Sequence, residues 1–309
     1  MSDHAAALIE AHGLVFGYPG REAPALDGVS LRVPRGTRLA LLGPNGAGKT
    51  TVLMHLNGAL RPRAGEVCLD GVPQGYDRAA LRAWRQRVQL VLQDPDDQLF
   101  AASVAEDVAF GPHNQGLAAA EIERRVAGAL TDLDLEPLAA LPPHLLSHGQ
   151  RKRVALAGAL AMAPEVLILD EPTAGLDHQG ERRLLETLAR LHARGTTLVL
   201  STHDVDLAHA WADQVALFAA GRVIACGPPA DILGDFNLLG AAGLAAPAVV
   251  RVARALEEAG IPLGNPRGRD LDALVARIRA SCGSMAGRKD GPDAAAFGKP
   301  RGTGGAAFF

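Results

Sequence analysis

The chain of 309 residues is long enough for two ordinary domains, or one large domain with an appendage. With 48% apolar and 21% charged residues it can bury a sizeable core, and its net charge of −3 gives no bulk reason to expect a nucleic-acid partner. Three scattered cysteines, Cys68, Cys226 and Cys282, argue against a disulfide framework and for a reducing cytoplasm.

The opening Met1-Ser2-Asp3-His4 lacks the layout of a signal peptide. Two apolar stretches fail as membrane spans. Val154–Leu169 contains Pro164 and Glu165, and Leu238–Val250 has only 13 residues where ~20 are needed. A protein soluble by itself is expected, with any membrane role supplied by a partner. Ala7–Phe16 and Val29–Leu42 read as strand regions punctuated by Gly17, Pro19, Gly20, Pro34 and Gly36, with Arg38–Leu42 a buried strand. Glu66–Asp70 is a further short strand. Residues of about 78–160 read as a helical insert interrupted by a strand at Val88–Leu92, with Ile122, Val126, Ala129, Leu130 and Leu133 at helical spacing. Val166–Leu169 and Thr196–Ser201 read as buried strands around a helix carrying Leu184, Leu185, Leu188 and Leu191. Gln214–Phe218 and Arg222–Cys226 read as a hairpin. Strands alternating with helices imply an α/β fold on a mainly parallel sheet covered on both sides. A first domain over 7–228 is expected, then a helical module over 229–280, where Leu271, Leu274, Val275 and Ile278 share a helix face. Residues 281–309 read as a mobile tail.

Gly43-Pro44-Asn45-Gly46-Ala47-Gly48-Lys49-Thr50 matches G-x-x-x-x-G-K-[ST] between a strand and a helix. Its glycines let backbone N–H groups turn toward phosphates, and the helix N-terminus favours anions. Lys49 supplies a point charge to the terminal phosphates, Thr50 a hydroxyl for Mg²⁺, and Thr51 a contact to an inner phosphate. Asp170 closes an apolar strand and is placed to orient Mg²⁺ or its waters, with Glu171 as the candidate base for the attacking water.

Further motifs select a family. Leu146-Ser147-His148-Gly149-Gln150 resembles the signature of ABC ATPases, Gln93 their Q-loop glutamine, Ala174-Gly175-Leu176-Asp177 their D-loop, His203 their switch histidine, and Tyr18 the aromatic that stacks on adenine. The resemblance spans 7 to about 228. It implies an ABC-type P-loop ATPase with a mixed RecA-like core, a helical signature subdomain and a small C-terminal helical module. It further implies ATP and Mg²⁺ as cofactors, Gln93 as an additional Mg²⁺ ligand, and Glu171, His203 and Gln93 as catalytic groups. In that family two subunits pack head to tail, so that Ser147, His148, Gly149, Gln150 and Asp177 would serve the opposite subunit's ATP. His148 departs from the usual glycine. A protonated ring could add a contact to phosphate, and the preferred reading is a neutral ring pointing away.

Gln93-Asp94-Pro95-Asp96-Asp97-Gln98-Leu99-Phe100, with Val104–Pro112, resembles the ATPases of energy-coupling factor importers. His203–Asp213 looks most like the cobalt branch, with nickel close behind. The resemblance implies a homodimer under an integral-membrane coupling protein and a metal-binding membrane subunit, at the cytoplasmic face. Asp94, Asp96 and Asp97 with Leu99 and Phe100 form a candidate docking patch for a basic coupling helix; an ordinary solvated acidic turn is the competing interpretation. The histidines show no ligand spacing with Cys or carboxylates, so only Mg²⁺ is assigned to this chain. The C-terminal helices are expected to extend the dimer contact. Alternatives are a vitamin-importing energy-coupling ATPase and a soluble non-transport ABC ATPase.

Overall fold

The computed structural model describes residues 7–259 and 274–279. Strand β1 (Ala7–Phe16) pairs antiparallel with β2 (Leu26–Pro34) and with β4 (Ala64–Leu69), which carries the short β5 (Val72–Pro73), giving one four-stranded antiparallel sheet. The second sheet has six strands in the order β10-β9-β3-β8-β7-β6: β3 (Arg38–Leu42), β6 (Val88–Val91), β7 (Val166–Asp170), β8 (Thr197–Thr202), β9 (Gln214–Ala219) and β10 (Arg222–Gly227). All its neighbours are parallel except the β9–β10 hairpin at the edge.

The stretch Val29–Leu42, read as punctuated at Pro34 and Gly36 with Arg38–Leu42 a buried strand, is two strands that lie in two different sheets. The chain turns at Pro34–Thr37, where Gly36 takes φ 66° and the Thr37 hydroxyl donates to the Pro34 carbonyl at 2.8 Å. Proline and a left-handed glycine both disfavour continued extension there.

The side chains of the parallel strands alternate between two cores, as the period of two requires. Ala40 and Leu42 of β3, Leu167 and Leu169 of β7, and Leu198 and Leu200 of β8 face one cluster, which also takes in the helices. Leu39, Leu41, Val166, Ile168 and Val199 face the other, against Leu8, Ile9, Leu14 and Leu26 of the antiparallel sheet and Val52 and Leu53 of α1 (Lys49–Leu56). Burial on both faces explains why these strands are uninterrupted apolar runs.

Helix α2 (Arg78–Arg87) was expected within the helical insert, yet it is fastened to the end of α1. Trp84 Nε1 donates to the Leu56 carbonyl at 2.9 Å and Arg85 to the Gly58 carbonyl at 2.8 Å. The arm itself comprises α3 (Val104–Gln115), α4 (Ala119–Asp132) and α5 (His148–Ala161), which pack on one another through Val104, Val108, Ala129, Leu130 and Val154. Helices α6 (His178–Ala193) and α7 (Val205–Trp211) flank β8.

The chain divides into two compact units between Val250 and Arg251, set beside the expected domains of 7–228 and 229–280. Helices α8 (Pro229–Leu233) and α9 (Phe236–Ala241) belong to the first unit because Ile232, Leu233 and Leu239 are buried in its main core. Helix α10 (Ala248–Glu258) crosses the break, and residues 274–279 of the second unit are helical. The expected tail over 281–309, and Leu271 of the expected apolar face, lie outside the described residues. No described helix is long and apolar enough to cross a membrane.

Candidate active site

The loop between β3 and α1 sits at the carboxyl end of the parallel sheet, where α/β folds present their ligand sites. Two glycines there have no substitute. Gly48 adopts φ 103°, and an added Cβ would stand 2.6 Å from the Ala25 carbonyl oxygen; at Gly43 it would stand 2.5 Å from that of Phe218. Both therefore permit a close backbone approach, and the loop is tied down by Gly221 N–H donating to the Ala47 carbonyl at 3.1 Å. Lys49, only 6% exposed, donates through Nζ to the Gly43 and Pro44 carbonyls at 2.7 and 3.2 Å and lies 3.5 Å from Glu171 Oε1. A cation, the open N-terminal turn of α1 and the loop amides thus converge on one face, which suits a polyphosphate.

Strand pairing brings the acidic groups to that face. In the register of β7 and β8, Asp170 stands beside Ser201. Asp170 Oδ2 accepts from the Thr50 hydroxyl at 2.7 Å, and Oδ1 accepts from the Ser201 hydroxyl. Ser201 Oγ in turn accepts the Glu171 backbone N–H at 2.9 Å, so one serine braces the Asp170 carboxylate and the backbone of Glu171. Glu171 takes φ 44°, a left-handed conformation that costs a non-glycine residue on the order of 1–2 kcal/mol and is held only by such surroundings. The turn points its buried side chain back toward Lys49 and His203. His203 Nδ1–H donates to Glu171 Oε2 at 3.0 Å from a ring that is 58% exposed. A nearly buried carboxylate is thereby held between a cation and an imidazole that reaches solvent.

Tyr18, Asn45, Gly46, Gly48, Lys49, Thr50, Thr51, Gln93 and Glu171 line one cleft of ≈ 450 Å³. The Tyr18 hydroxyl lies 3.3 Å from Thr51 Oγ1, and its ring packs edge-on against Phe16 with centroids 5.1 Å apart. Arg21, which sequence reasoning missed, lines the same cleft with its guanidinium 5.9 Å from the Tyr18 ring centroid. The oxygens of Thr50 and Asp170, already in contact, form a hard donor set that fits Mg²⁺, and Gln93 lines the adjoining cleft with both. Among the described residues no group of three or more His, Cys, Asp and Glu gathers as a metal site.

The signature residues occupy a different place. Ser147, His148, Gly149, Gln150 and Asp177 line a separate cleft of ≈ 480 Å³. Helix α5 begins at His148, because Ser147 and Gln150 form a capping box: Ser147 Oγ accepts from Gln150 N–H at 3.3 Å, and Gln150 Oε1 accepts from Ser147 N–H at 2.7 Å. The Ser147 lone pair is engaged while its O–H stays available to donate. Asp177 caps α6, accepting from Gly180 N–H at 2.7 Å. The His148 ring lies across Gly175 of its own chain, where an added Cβ would meet ring atoms Cδ2 and Nε2 at 3.3 Å.

The acidic segment is not a free patch. Asp94 caps the short turn Pro95–Asp97, accepting from Asp96 N–H at 3.0 Å, and Asp96 pairs with Arg151 Nε of α5 at 2.7 Å. Asp97 lines the cleft between Thr50 and His148. Leu99 packs on the core, and Phe100, 65% exposed, meets Phe110 edge to face at 4.7 Å. Gln98 was also missed: it accepts from Leu92 N–H at 2.8 Å and donates to the Leu90 carbonyl at 3.0 Å, pinning the end of β6 just before Gln93. Ser201 carries no motif signal, since it acts through a neighbour chosen by sheet register, and Gln98 stands inside the Gln93–Phe100 motif but acquires its pinning role only through the loop path.

Residues 26–174 match the family model described as ABC transporter. The cobalt import ATP-binding protein CbiO of Rhodobacter capsulatus is 53% identical over 88% of this chain and 97% of its own length. The chain belongs to the ABC transporter ATP-binding family. The energy-coupling factor transporter ATP-binding protein EcfA of Methanocaldococcus jannaschii is 46% identical over 81% of this ABC ATPase and 90% of its own length. Among solved structures, cbiO1 of Clostridium perfringens, part of the ABC transporter complex cbiONQ, aligns with a TM-score of 0.69 at 38% identity, over 82% of this chain and 98% of that one. The cassette MJ0796, solved as a dimer in a post-hydrolysis state bound to ADP and Pi, aligns with a TM-score of 0.66 at 26% identity, over 72% of this chain and 98% of its own. The α/β fold anticipated from the motifs is thus that of an ABC ATPase, with the nucleotide loop, the two carboxylates and the histidine gathered on one sheet edge.

Proposed function

We propose that this chain is the ATP-hydrolysing subunit of an energy-coupling factor importer that carries cobalt ions inward. The observation that carries this is the braced pair Asp170–Glu171 between Thr50, Lys49 and His203, on a chain 53% identical to a cobalt import ATP-binding protein. The loop 43–51 binds the ATP phosphates, with Tyr18 against the adenine. Thr50, Asp170 and Gln93 hold Mg²⁺, which when bound neutralises charge between the terminal phosphates. Glu171 accepts a proton from the attacking water, and His203 holds that carboxylate in place from the solvent side.

Two copies of the chain assemble head to tail. The Ser147 hydroxyl and the Gly149 amide at the N-terminus of α5 then face the phosphates held by the other copy, with Asp177 at the same boundary. The absence of Ser147, Gly149 and Gln150 from the clefts that hold Lys49 and Thr50 favours this arrangement, with His148 alone of the signature reaching the cleft shared by Thr50, Gln93 and Asp170. Helices beyond residue 229 extend the dimer contact. A membrane coupling protein docks at the exposed Phe100–Phe110 pair beside Asp94, Asp96 and Asp97, at the cytoplasmic face, and the transported ion is bound by the membrane subunits.

Uptake of labelled Co²⁺ and Ni²⁺ by proteoliposomes holding the complete complex tests the reading. ATP-dependent Co²⁺ uptake that Glu171→Gln abolishes is the expected result. ATP hydrolysis with uptake of neither ion would redirect the assignment to another cargo.

A further inference from the structure

Lys152 follows the signature in the chain and no role for it was read from the sequence, yet it is only 8% exposed in the middle of the functional region. It lies one turn after His148 on α5, so the two side chains leave the helix on the same face. That face is seated on the segment that follows the catalytic carboxylate. His148 lies across Gly175, Gly149 approaches the Leu176 side chain, and Lys152 Nζ donates to the carbonyls of Glu171, Pro172 and Ala174 at 3.3, 3.4 and 2.5 Å. An ammonium has three N–H donors, and here three carbonyls of one turn accept them. Burial lowers the Lys152 pKa, opposed by the negative charges of Glu171, Asp94 and Asp170, which favour the ammonium.

Those carbonyls belong to the turn whose first residue, Glu171, is in the left-handed conformation. Such a conformation persists only where its surroundings over-determine it. On the amino side Ser201 accepts the Glu171 N–H, and on the carboxyl side Lys152 is the side chain that gathers the turn's carbonyls. We propose that Lys152 is a positioning residue for hydrolysis: by binding the carbonyls of Glu171, Pro172 and Ala174 it aims the Glu171 carboxylate and ties that aim to the signature helix α5 in the same chain. Resting on the hydrolytic reading above, this gives the signature helix a direct mechanical path to its own chain's catalytic carboxylate.

The test compares full-length wild-type, K152M and K152Q proteins by ATP turnover, binding of a fluorescent ATP analogue and thermal melting. K152M should lower kcat by about tenfold or more while nucleotide affinity stays within about threefold, and K152Q, which keeps N–H donors, should fall between K152M and wild type. In an E171Q background K152M should lower residual turnover by less than about twofold, since no carboxylate is left to aim. A cooperatively melting K152M with turnover within about twofold of wild type overturns the proposal, as does a parallel loss of affinity and turnover. A full additional loss in the E171Q background overturns it too. If K152M does not melt cooperatively, K152Q alone and in the E171Q background is held to the same criteria. Wild-type protein that binds ATP without hydrolysing it would overturn the hydrolytic reading itself, which the wild-type control separates from a failure specific to Lys152.

Discussion

His203 Nδ1 stands 3.0 Å from Glu171 Oε2, while the other Glu171 oxygen faces Lys49 at 3.5 Å. The carboxylate is almost buried and the histidine is more than half exposed, so the contact can be remade from the solvent side without opening the core. That asymmetry separates the two residues' roles and makes them testable apart.

Glu171→Gln keeps the side-chain shape and removes the proton acceptor. Turnover should fall about 10²- to 10⁴-fold with ATP affinity retained. His203→Ala removes only the outer brace, so its loss should be smaller than that of Glu171→Gln. Steady-state hydrolysis and nucleotide titration on both variants check the ordering; a His203→Ala loss exceeding that of Glu171→Gln would make the histidine the primary group.

Ser201→Ala should cost both stability and rate. It strips a buried donor from Asp170 and leaves the Glu171 N–H without its acceptor. An unsatisfied buried group costs about 1–3 kcal/mol, so a measurable drop in melting temperature is expected alongside slower turnover. Ser201→Thr retains the hydroxyl and should recover part of both. Melting curves with matched rate measurements decide, and an unaltered Ser201→Ala protein would contradict the bracing role.

Phe100→Ala with Phe110→Ala should leave hydrolysis by the isolated chain near wild type and weaken assembly with the membrane subunits. Both rings are exposed and pair with each other, and neither lines the clefts that hold Lys49, Thr50, Asp170 and Glu171. Charge reversal at Asp96 is a poorer probe, because it also breaks the Arg151 pair on the signature helix. Co-purification with the membrane subunits, set beside basal turnover, reads the two effects separately.

His55 sets a pH dependence beneath the nucleotide loop. It is fully buried on α1, its Nδ1–H donates to the Thr51 carbonyl at 2.7 Å, and its ring meets Phe16 edge-on at 4.8 Å. Burial lowers its pKa, with the Thr51 contact opposing. The unfolded chain therefore takes up the proton first, near its ordinary value of about 6.5, and stability falls as pH drops below that value until the folded group also titrates. Melting temperature should decline between about pH 7.5 and 5 more steeply in wild type than in His55→Leu, whose site cannot titrate. Equal slopes would remove His55 from the account.

Residues that act through local chain geometry were legible in the sequence. The 43–51 loop, Asp170 and Glu171 after an apolar strand, and Ser147 before a helix each carry their signal within a few neighbours, because phosphate cradles, strand ends and helix caps are short-range devices. The break of Val29–Leu42 into strands of two sheets was less legible, although Pro34 and Gly36 mark the turn, because pairing partners are chosen across the fold.

By itself, then, the sequence determined the chemistry: an ABC ATPase with its nucleotide loop, carboxylates and histidine in known order along the chain. Only the tertiary structure decided how those groups are held. Ser201 reaches the Asp170 carboxylate and the Glu171 backbone N–H through the β7–β8 register, Lys152 reaches the Glu171 turn through the seating of α5, and the His148 ring lies across Gly175. The physical reason is range. Motif residues meet their ligand through the local backbone, whereas the groups that aim them are set by contacts between segments 19 to 31 positions apart, which no short pattern encodes.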